Sequence, residues 1–253
     1  MLEGAYNFRD LGGLPTRDGR RLRSGRVFRS DTLQALTIAD ARRLHDELGL
    51  RGIVDLRLAE EVAEEGRGPI AAHADIRYAN LPLQMAATEG IAPDLVMQHL
   101  YLGCLAPESP LAQAVQQLCE FSDQPVLFHC AAGKDRTGLL AALILRLLDV
   151  DDEVIVADYM RSAEAMPRMI ERFAVWPRYR DHMAKAPPQA YGVEARPLRE
   201  FLRGLDQSPG GARGWLQSRG VLQKSLQLLS ERWLPVCPQP VLGFQSLPFN
   251  STR

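Results

Sequence analysis

The stretch Phe128-His129-Cys130-Ala131-Ala132-Gly133-Lys134-Asp135-Arg136-Thr137-Gly138 decides the reading of this chain. Ahead of it, Pro125-Val126-Leu127-Phe128 is a short apolar run that predicts a buried strand. Behind it, Thr137 to Asp149 is apolar on all sides and predicts a helix enclosed by the fold. Cys130 therefore opens a tight loop between a strand and the first turn of a helix. Unpaired N–H groups and the positive end of the helix dipole make such a place receptive to an anion. Arg136, six residues on, brings a planar guanidinium that can hold two phosphate oxygens at once. The same field favours a thiolate at Cys130, and a thiolate facing a bound phosphate is a nucleophile facing its target. Cys104, Cys119 and Cys237 have no arginine at that spacing.

Outward from the loop, strand-like and helix-like segments alternate. Thr37 is placed to cap a helix carrying Ile38, Ala41, Leu44 and Leu48 at helical spacing, with Gly49 at its end. Ile53-Val54-Asp55-Leu56 predicts a central strand. Asp55 and Arg57 at its carboxyl end are second-tier site candidates, or else a pair that merely holds the strand end. Glu60, Glu61, Glu64 and Glu65 read as the solvated face of a helical turn, and Ile76 to Leu83 as a further strand. Asp94 to Phe121 is helical with breaks at Pro107 and Pro110, and Asp151 to Met166 predicts one helix. Pro167, Pro177, Pro187 and Pro188 divide the stretch after it. Phe201-Leu202, Trp215-Leu216 and Val221 to Leu234 suggest small helices closing one end. The alternation predicts an α/β fold, an open, mostly parallel sheet with helices on both faces. A single catalytic domain over residues 1–234 and a Pro-rich tail over 235–253 are expected.

With 30 basic and 31 acidic residues among 253, the net charge of −1 gives no global field to draw in nucleic acid. Four irregularly spaced cysteines make neither a disulfide framework nor a zinc site. Met1-Leu2-Glu3-Gly4 lacks the regions of a signal peptide, and no apolar run approaches the length of a membrane span. The expectation is a cytoplasmic protein without stable membrane insertion; nothing in the sequence speaks to its oligomeric state.

His129-Cys130-x-x-Gly133-Lys134-x-Arg136-Thr137-Gly138 resembles the signature of the protein-tyrosine phosphatase superfamily. The version with Asp135 before the arginine is similar to an atypical bacterial branch active on phosphoproteins and phosphoinositides. That branch also resembles this chain at Asn7-Phe8-Arg9-Asp10-Leu11-Gly12-Gly13, at Arg26-Val27-Phe28-Arg29-Ser30 and at Asp55-Leu56-Arg57. The resemblance implies a cysteine-dependent phosphatase that forms a phosphocysteine and needs no cofactor or metal. Its substrates would be phosphorylated proteins (phosphotyrosine, phosphoserine or phosphothreonine) or phosphoinositides. Cys130 would be the nucleophile. Ala131, Ala132, Gly133, Lys134 and Arg136 would bind phosphate, and Thr137 would hydrogen-bond the sulfur. His129 would orient the loop. The superfamily often takes its general acid from an upstream loop, but Leu81-Pro82-Leu83-Gln84 offers Gln84 there, so the branch resemblance assigns the role to Asp135, with Asp55 and Asp94 as rivals. Trp176-Pro177-Arg178 lacks an Asp and follows the signature, so it reads as a decoy. Lys134 would either read a second phosphate or simply raise the local potential. Arg9 and Arg29 are candidates for an electropositive rim in an arginine-rich segment that otherwise reads as a solvated hairpin. The competing classes are a sulfur transferase and a non-catalytic phosphate-binding module on the same anion loop.

Overall fold

Successive side chains on a strand point to opposite faces of its sheet, and here both faces are apolar. The computed structural model describes residues 2–183 and 188–235. Five strands are present among them: β1 (Arg9–Asp10), β2 (Val27–Ser30), β3 (Gly52–Asp55), β4 (Arg77–Asn80) and β5 (Val126–His129). They lie in the order β1-β2-β5-β3-β4, with β1 antiparallel at the edge and all other neighbours parallel. Val27, Val54, Val126 and Phe128 enter one core, while Phe28, Ile53 and Leu127 enter a second on the opposite face. A central strand buried on both faces must read as a continuous apolar run, as Val126-Leu127-Phe128 does.

The smaller core is roofed by α1 (Ile38–Arg42), which continues as a π-helical turn over Arg43–Glu47. Thr37 caps α1 through its side chain, and Asp40 closes the capping box. Gly49, at φ +65°, lets the chain turn into β3. After β3 come α2 (Ala59–Glu65) and a 3₁₀ turn, Pro69–Ala72. The larger core is covered by α3 (Val96–Gly103), α4 (Leu111–Phe121), α5 (Asp135–Leu147), α6 (Asp152–Met160) and the C-terminal helices. Ten of the thirteen residues of α5 are buried, which is why it lacks a polar face.

One helix was expected over Asp151 to Met166, and two are found. The chain bends at Arg161, whose N–H is shared among the carbonyls of Ala157, Asp158 and Tyr159, and α7 (Ser162–Val175) follows at once. Pro167 stands inside α7, at its sixth residue, and the helix runs through it without the bond to the Ala163 carbonyl. Pro177 opens α8 (Pro177–Met183), and a 3₁₀ turn covers Pro188–Tyr191. The closing helices are α9 (Ala195–Asp206), α10 (Gly211–Gln217) and α11 (Gln223–Trp233). Pro187 and the tail expected beyond 235 lie outside the described residues. No helix among the described residues is long and apolar enough to cross a membrane.

Candidate active site

The chain passes from β2 to β3 and β4 and returns as β5 between β2 and β3, so the loop after β5 lies at a topological switch point. That loop is Cys130 to Lys134, and α5 begins at Asp135. Its shape follows from where its carbonyls go. The Cys130 carbonyl lies 3.2 Å from His129 Nδ1. The Ala131 carbonyl accepts from Thr32 N–H at 3.0 Å, and the Ala132 carbonyl from Asn7 Nδ2 at 3.1 Å. The Gly133 carbonyl accepts from the Arg29 guanidinium at 2.8 Å. In a trans peptide the N–H points opposite to the carbonyl. Four carbonyls tied to the scaffold therefore leave the N–H groups of Ala131 through Lys134 to the concave side, and the free N–H groups at the start of α5 extend the ring. Gly133 must be glycine, since its φ is +66° and a Cβ would come within 2.6 Å of the backbone at Ser30 and Asp31.

Arg9 and Arg29 are part of this scaffold and not of a rim. Both are buried, and they grip the two oxygens of Asp158 on α6 at 2.7 Å each. Arg9 also donates to Asn7 Oδ1, which fixes the amide so that its nitrogen faces Ala132. Burial pushes the Arg9 guanidinium down to about 10, still charged at neutral pH. Burial likewise opposes the Asp158 carboxylate, but Arg29 and Arg9 hold it below its usual range. The N-terminal motifs thus reach the signature loop as its supports.

Asp55 and Arg57 lie beneath the site, fully buried and bidentate at 3.0 and 2.7 Å. Tyr78 donates to the same carboxylate, and Arg57 goes on to Gln34 and the Gly66 carbonyl. Burial alone would raise Asp55, but the fields of His129 and Arg57 override it and hold the carboxyl at about 2. Burial lowers His129 while Asp55 pulls it the other way, its Nδ1 donates to the Cys130 carbonyl, and Arg57 is the permanent counter-charge. Because Asp55 is depressed in the folded state, its stabilising share is full above about pH 4 and lost as pH falls towards 2. Asp55→Asn should lower stability by about 3–5 kcal/mol, as removal of one member of a buried pair does. Urea unfolding at pH 7 checks this, and the acid loss between pH 4 and 2 should become shallower.

The concave side of the loop opens into a cleft of about 640 Å³. Cys130, Ala131, Ala132, Lys134, Asp135 and Arg136 form its floor. Arg136 is clamped by Glu61 of α2 through both nitrogens, at 2.5 and 3.1 Å. Burial opposes its charge, but the neighbouring Cys130 and Glu61 raise it well above the ordinary arginine range. Glu61 is not on a solvated face as expected. It is buried, accepts from Leu58 N–H and Tyr179, and Arg136 keeps it ionised against the effect of burial.

Asp135 accepts a 2.5 Å hydrogen bond from the hydroxyl of Tyr101 on α3, which lies 2.7 Å from the Tyr159 hydroxyl of α6. Burial and then the Asp135 charge raise Tyr101 far above its ordinary range, so it stays a donor. Lys134 is buried, and its Nζ donates to the carbonyls of Ala190 and Gly192 at 2.5 and 2.7 Å, with Asp135 at 3.4 Å. The Thr137 hydroxyl is buried without a hydrogen-bond partner among the described residues, so it does not reach the Cys130 sulfur here. Gln84 lines the cleft; so does Arg178, from the segment read as a decoy, which pairs with Glu64. Above the floor the walls are apolar, with Met85, Met97, Leu100, Met166 and Phe173.

A cysteine at the base of an N–H ring, with an arginine locked beside it, can bind a tetrahedral dianion in line with the sulfur. Residues 1–235 match the sequence model of the Tyrosine phosphatase family. The chain belongs to the tyrosine phosphatase family. It is 28% identical to the "Triple specificity protein phosphatase PtpB" of Mycobacterium tuberculosis, over 89% of this chain and 95% of that one. It is 32% identical to a "Tyrosine-protein phosphatase" of Nostoc commune, over 81% of this chain and 72% of the relative. Among solved structures it is similar to P. aeruginosa TpbA at 17% identity and a TM-score of 0.40, covering 78% of this chain and 89% of that one. Membership makes this a cysteine-dependent tyrosine-phosphatase-like enzyme, a phosphoric monoester hydrolase.

Proposed function

We propose that Cys130 attacks the phosphorus of a phosphate monoester, with the loop N–H groups and Arg136 holding the three terminal oxygens. These donors fit the flattened transition state better than the ground state, which is how such a ring accelerates the step. The P–O bond to the leaving group breaks as the S–P bond forms, and Asp135 donates the proton that the leaving oxygen needs. Water then hydrolyses the phosphocysteine, releasing phosphate and the thiolate. The observation that carries this reading is the outward anchoring of four successive carbonyls around Cys130. The loop supplies the positive charge itself, so hydrolysis of para-nitrophenyl phosphate in excess EDTA is the first test. Phosphate release that vanishes with EDTA and returns with a divalent metal would overturn the proposal.

For substrate breadth, the support is the cleft and the relative named for triple specificity. A cleft of about 640 Å³ is far larger than one phosphate and has room for an aryl or inositol ring above it. Phosphotyrosine fits the apolar walls. A phosphoinositide would bring a neighbouring phosphate to Lys134, whose ammonium would then exchange the Ala190 and Gly192 carbonyls for phosphate oxygens. Lys134→Met should therefore lower kcat/KM for a phosphoinositide at least about tenfold more than for a phosphotyrosine peptide, about 1.4 kcal/mol of selective binding. Equal losses on both would make Lys134 an anchor for the 190–192 turn and a source of general field.

A further inference from the structure

Three side chains that phosphoryl transfer does not use converge at the opposite end of the sheet. His45 lies in the π-helical turn after α1, His73 follows the 3₁₀ turn Pro69–Ala72, and Asp75 comes just before β4. One ligand atom from each lies within 4.8 Å of the other two. His45 precedes β3 and Asp75 precedes β4, whereas Cys130 follows β5. These strands are parallel and in register, so the cluster sits at their amino ends and the catalytic loop at their carboxyl ends. Four residues of strand at about 3.3 Å each place roughly 13 Å of sheet between them.

His45 Nδ1 lies 2.6 Å from Asp46 Oδ1, and its Nε2 lies 2.9 Å from both oxygens of Asp75. A metal-ligating histidine commonly donates its second N–H to a carboxylate, which fixes the tautomer and aims the other nitrogen. Asp46 provides that carboxylate, while Nε2–H donates to both Asp75 oxygens; an incoming metal would take the place of that proton. His73 stacks on the same ring, with centroids 4.1 Å apart and planes 19° from parallel. Arg51 orients the Asp75 carboxylate through Oδ2 at 3.1 Å, and a metal would take over the oxygen that His45 now holds.

We propose that His45, His73 and Asp75 bind a divalent transition metal, Zn²⁺ foremost, at a site separate from the catalytic cleft. Two imidazoles and one carboxylate are the donors Zn²⁺ takes, whereas Mg²⁺ and Ca²⁺ prefer all-oxygen sets. Zinc bonds of about 2.0–2.2 Å require ligand atoms about 3.3 Å apart in a tetrahedron, with water in the fourth position. Asp75 is exposed and both histidines are partly exposed, so the rings and the carboxylate can turn inward by the remaining ångström or so. The bound ion would join the π turn of α1, the segment after the 3₁₀ turn and the entry to β4. Its expected effect is on stability, not on turnover.

Zinc also binds reactive thiolates, so the experiment uses full-length Cys130→Ser as its reference. Titration with Zn²⁺ by calorimetry should give one ion per chain in the micromolar range, and saturating Zn²⁺ should raise Tm by several degrees. His73→Gln and His45→Gln, each in the Cys130→Ser protein, should weaken binding at least tenfold. Co²⁺ in place of Zn²⁺ should give visible d–d bands without a thiolate charge-transfer band. Absence of zinc binding to Cys130→Ser would overturn the proposal. So would unchanged affinity in the protein carrying both histidine substitutions. Should His45→Gln disturb the helix turn, which circular dichroism would reveal, His73→Gln alone decides the outcome.

Discussion

Cys130→Ser is expected to lower turnover of an aryl phosphate by at least about 10⁴-fold, or more than about 5 kcal/mol in barrier. Binding of inorganic phosphate should change by less than about threefold. The two effects separate because nucleophile and binding groups are different parts of the loop. In the proposed mechanism the anion is held by backbone N–H groups fixed through Thr32, Asn7 and Arg29 and by Arg136 fixed through Glu61. None of these contacts uses the Cys130 side chain. A serine hydroxyl fits the buried position, but it is not ionised near neutrality and is a far weaker nucleophile. Stopped turnover and phosphate titration by calorimetry read the two quantities separately, and rapid acid quench of the wild type should trap phosphate on Cys130. Residual activity within tenfold of wild type would end the covalent mechanism. Loss of phosphate binding would show that the thiolate, and not the loop, organises the anion site.

Much of the fold was legible because it rests on local, periodic signals. Val126-Leu127-Phe128 must be a two-faced buried strand, and α5 has no polar side to turn outward. Thr37 with Asp40 and Gly49 marks both ends of its helical segment. The break at Arg161 was not legible, since no proline or glycine stands there. It follows from tightening of the last turn of α6. Pro167 gave a false signal: it stands inside α7, which continues through it one backbone bond short.

The site divides the same way. Cys130 to Arg136 is contiguous, so its geometry could be argued from spacing alone. Its supports are scattered, and what they do depends on which carbonyl or guanidinium the sheet order brings to them. Arg9 and Arg29 were visible as motif members, but their partner Asp158 lies far along the chain on α6. Four nearby glutamates look alike in sequence; Glu61 alone is at the third position of α2, where its carboxylate accepts from the Leu58 N–H and meets Arg136. Tyr101 and Tyr159 carried no signal beyond apolar helical spacing, and their hydroxyls acquire meaning only where α3 and α6 converge on Asp135.

That convergence sharpens the test of the general acid. Asp135→Asn should lower kcat/KM by about 10²–10⁴-fold on substrates with poor leaving groups, the size of acid–base assistance. The loss should be much smaller on an aryl phosphate whose phenolate departs unaided, and the basic limb of the pH–rate profile should flatten. Asparagine keeps an oxygen to accept from Tyr101, so the substitution removes the proton and little else. Tyr101→Phe separates position from proton: a hydrogen bond to a charged group contributes about 1.5–3 kcal/mol, so losses of about 10- to 100-fold with the same leaving-group trend are expected. Tyr101 is a poor proton source itself, since burial and the Asp135 charge push its phenol far above the ordinary range and weaken it as an acid. The rivals differ in placement. Asp55 is held at about 2 by its ion pair beneath the loop, and Asp94 is exposed and outside the cleft lining. Asp181 of α8 does line the cleft, although it is exposed. An equal loss on every leaving group in Asp135→Asn, with the leaving-group-dependent loss shown by Asp181→Asn instead, would move the acid to α8. Asp135 would then be the group through which Tyr101 braces the start of α5.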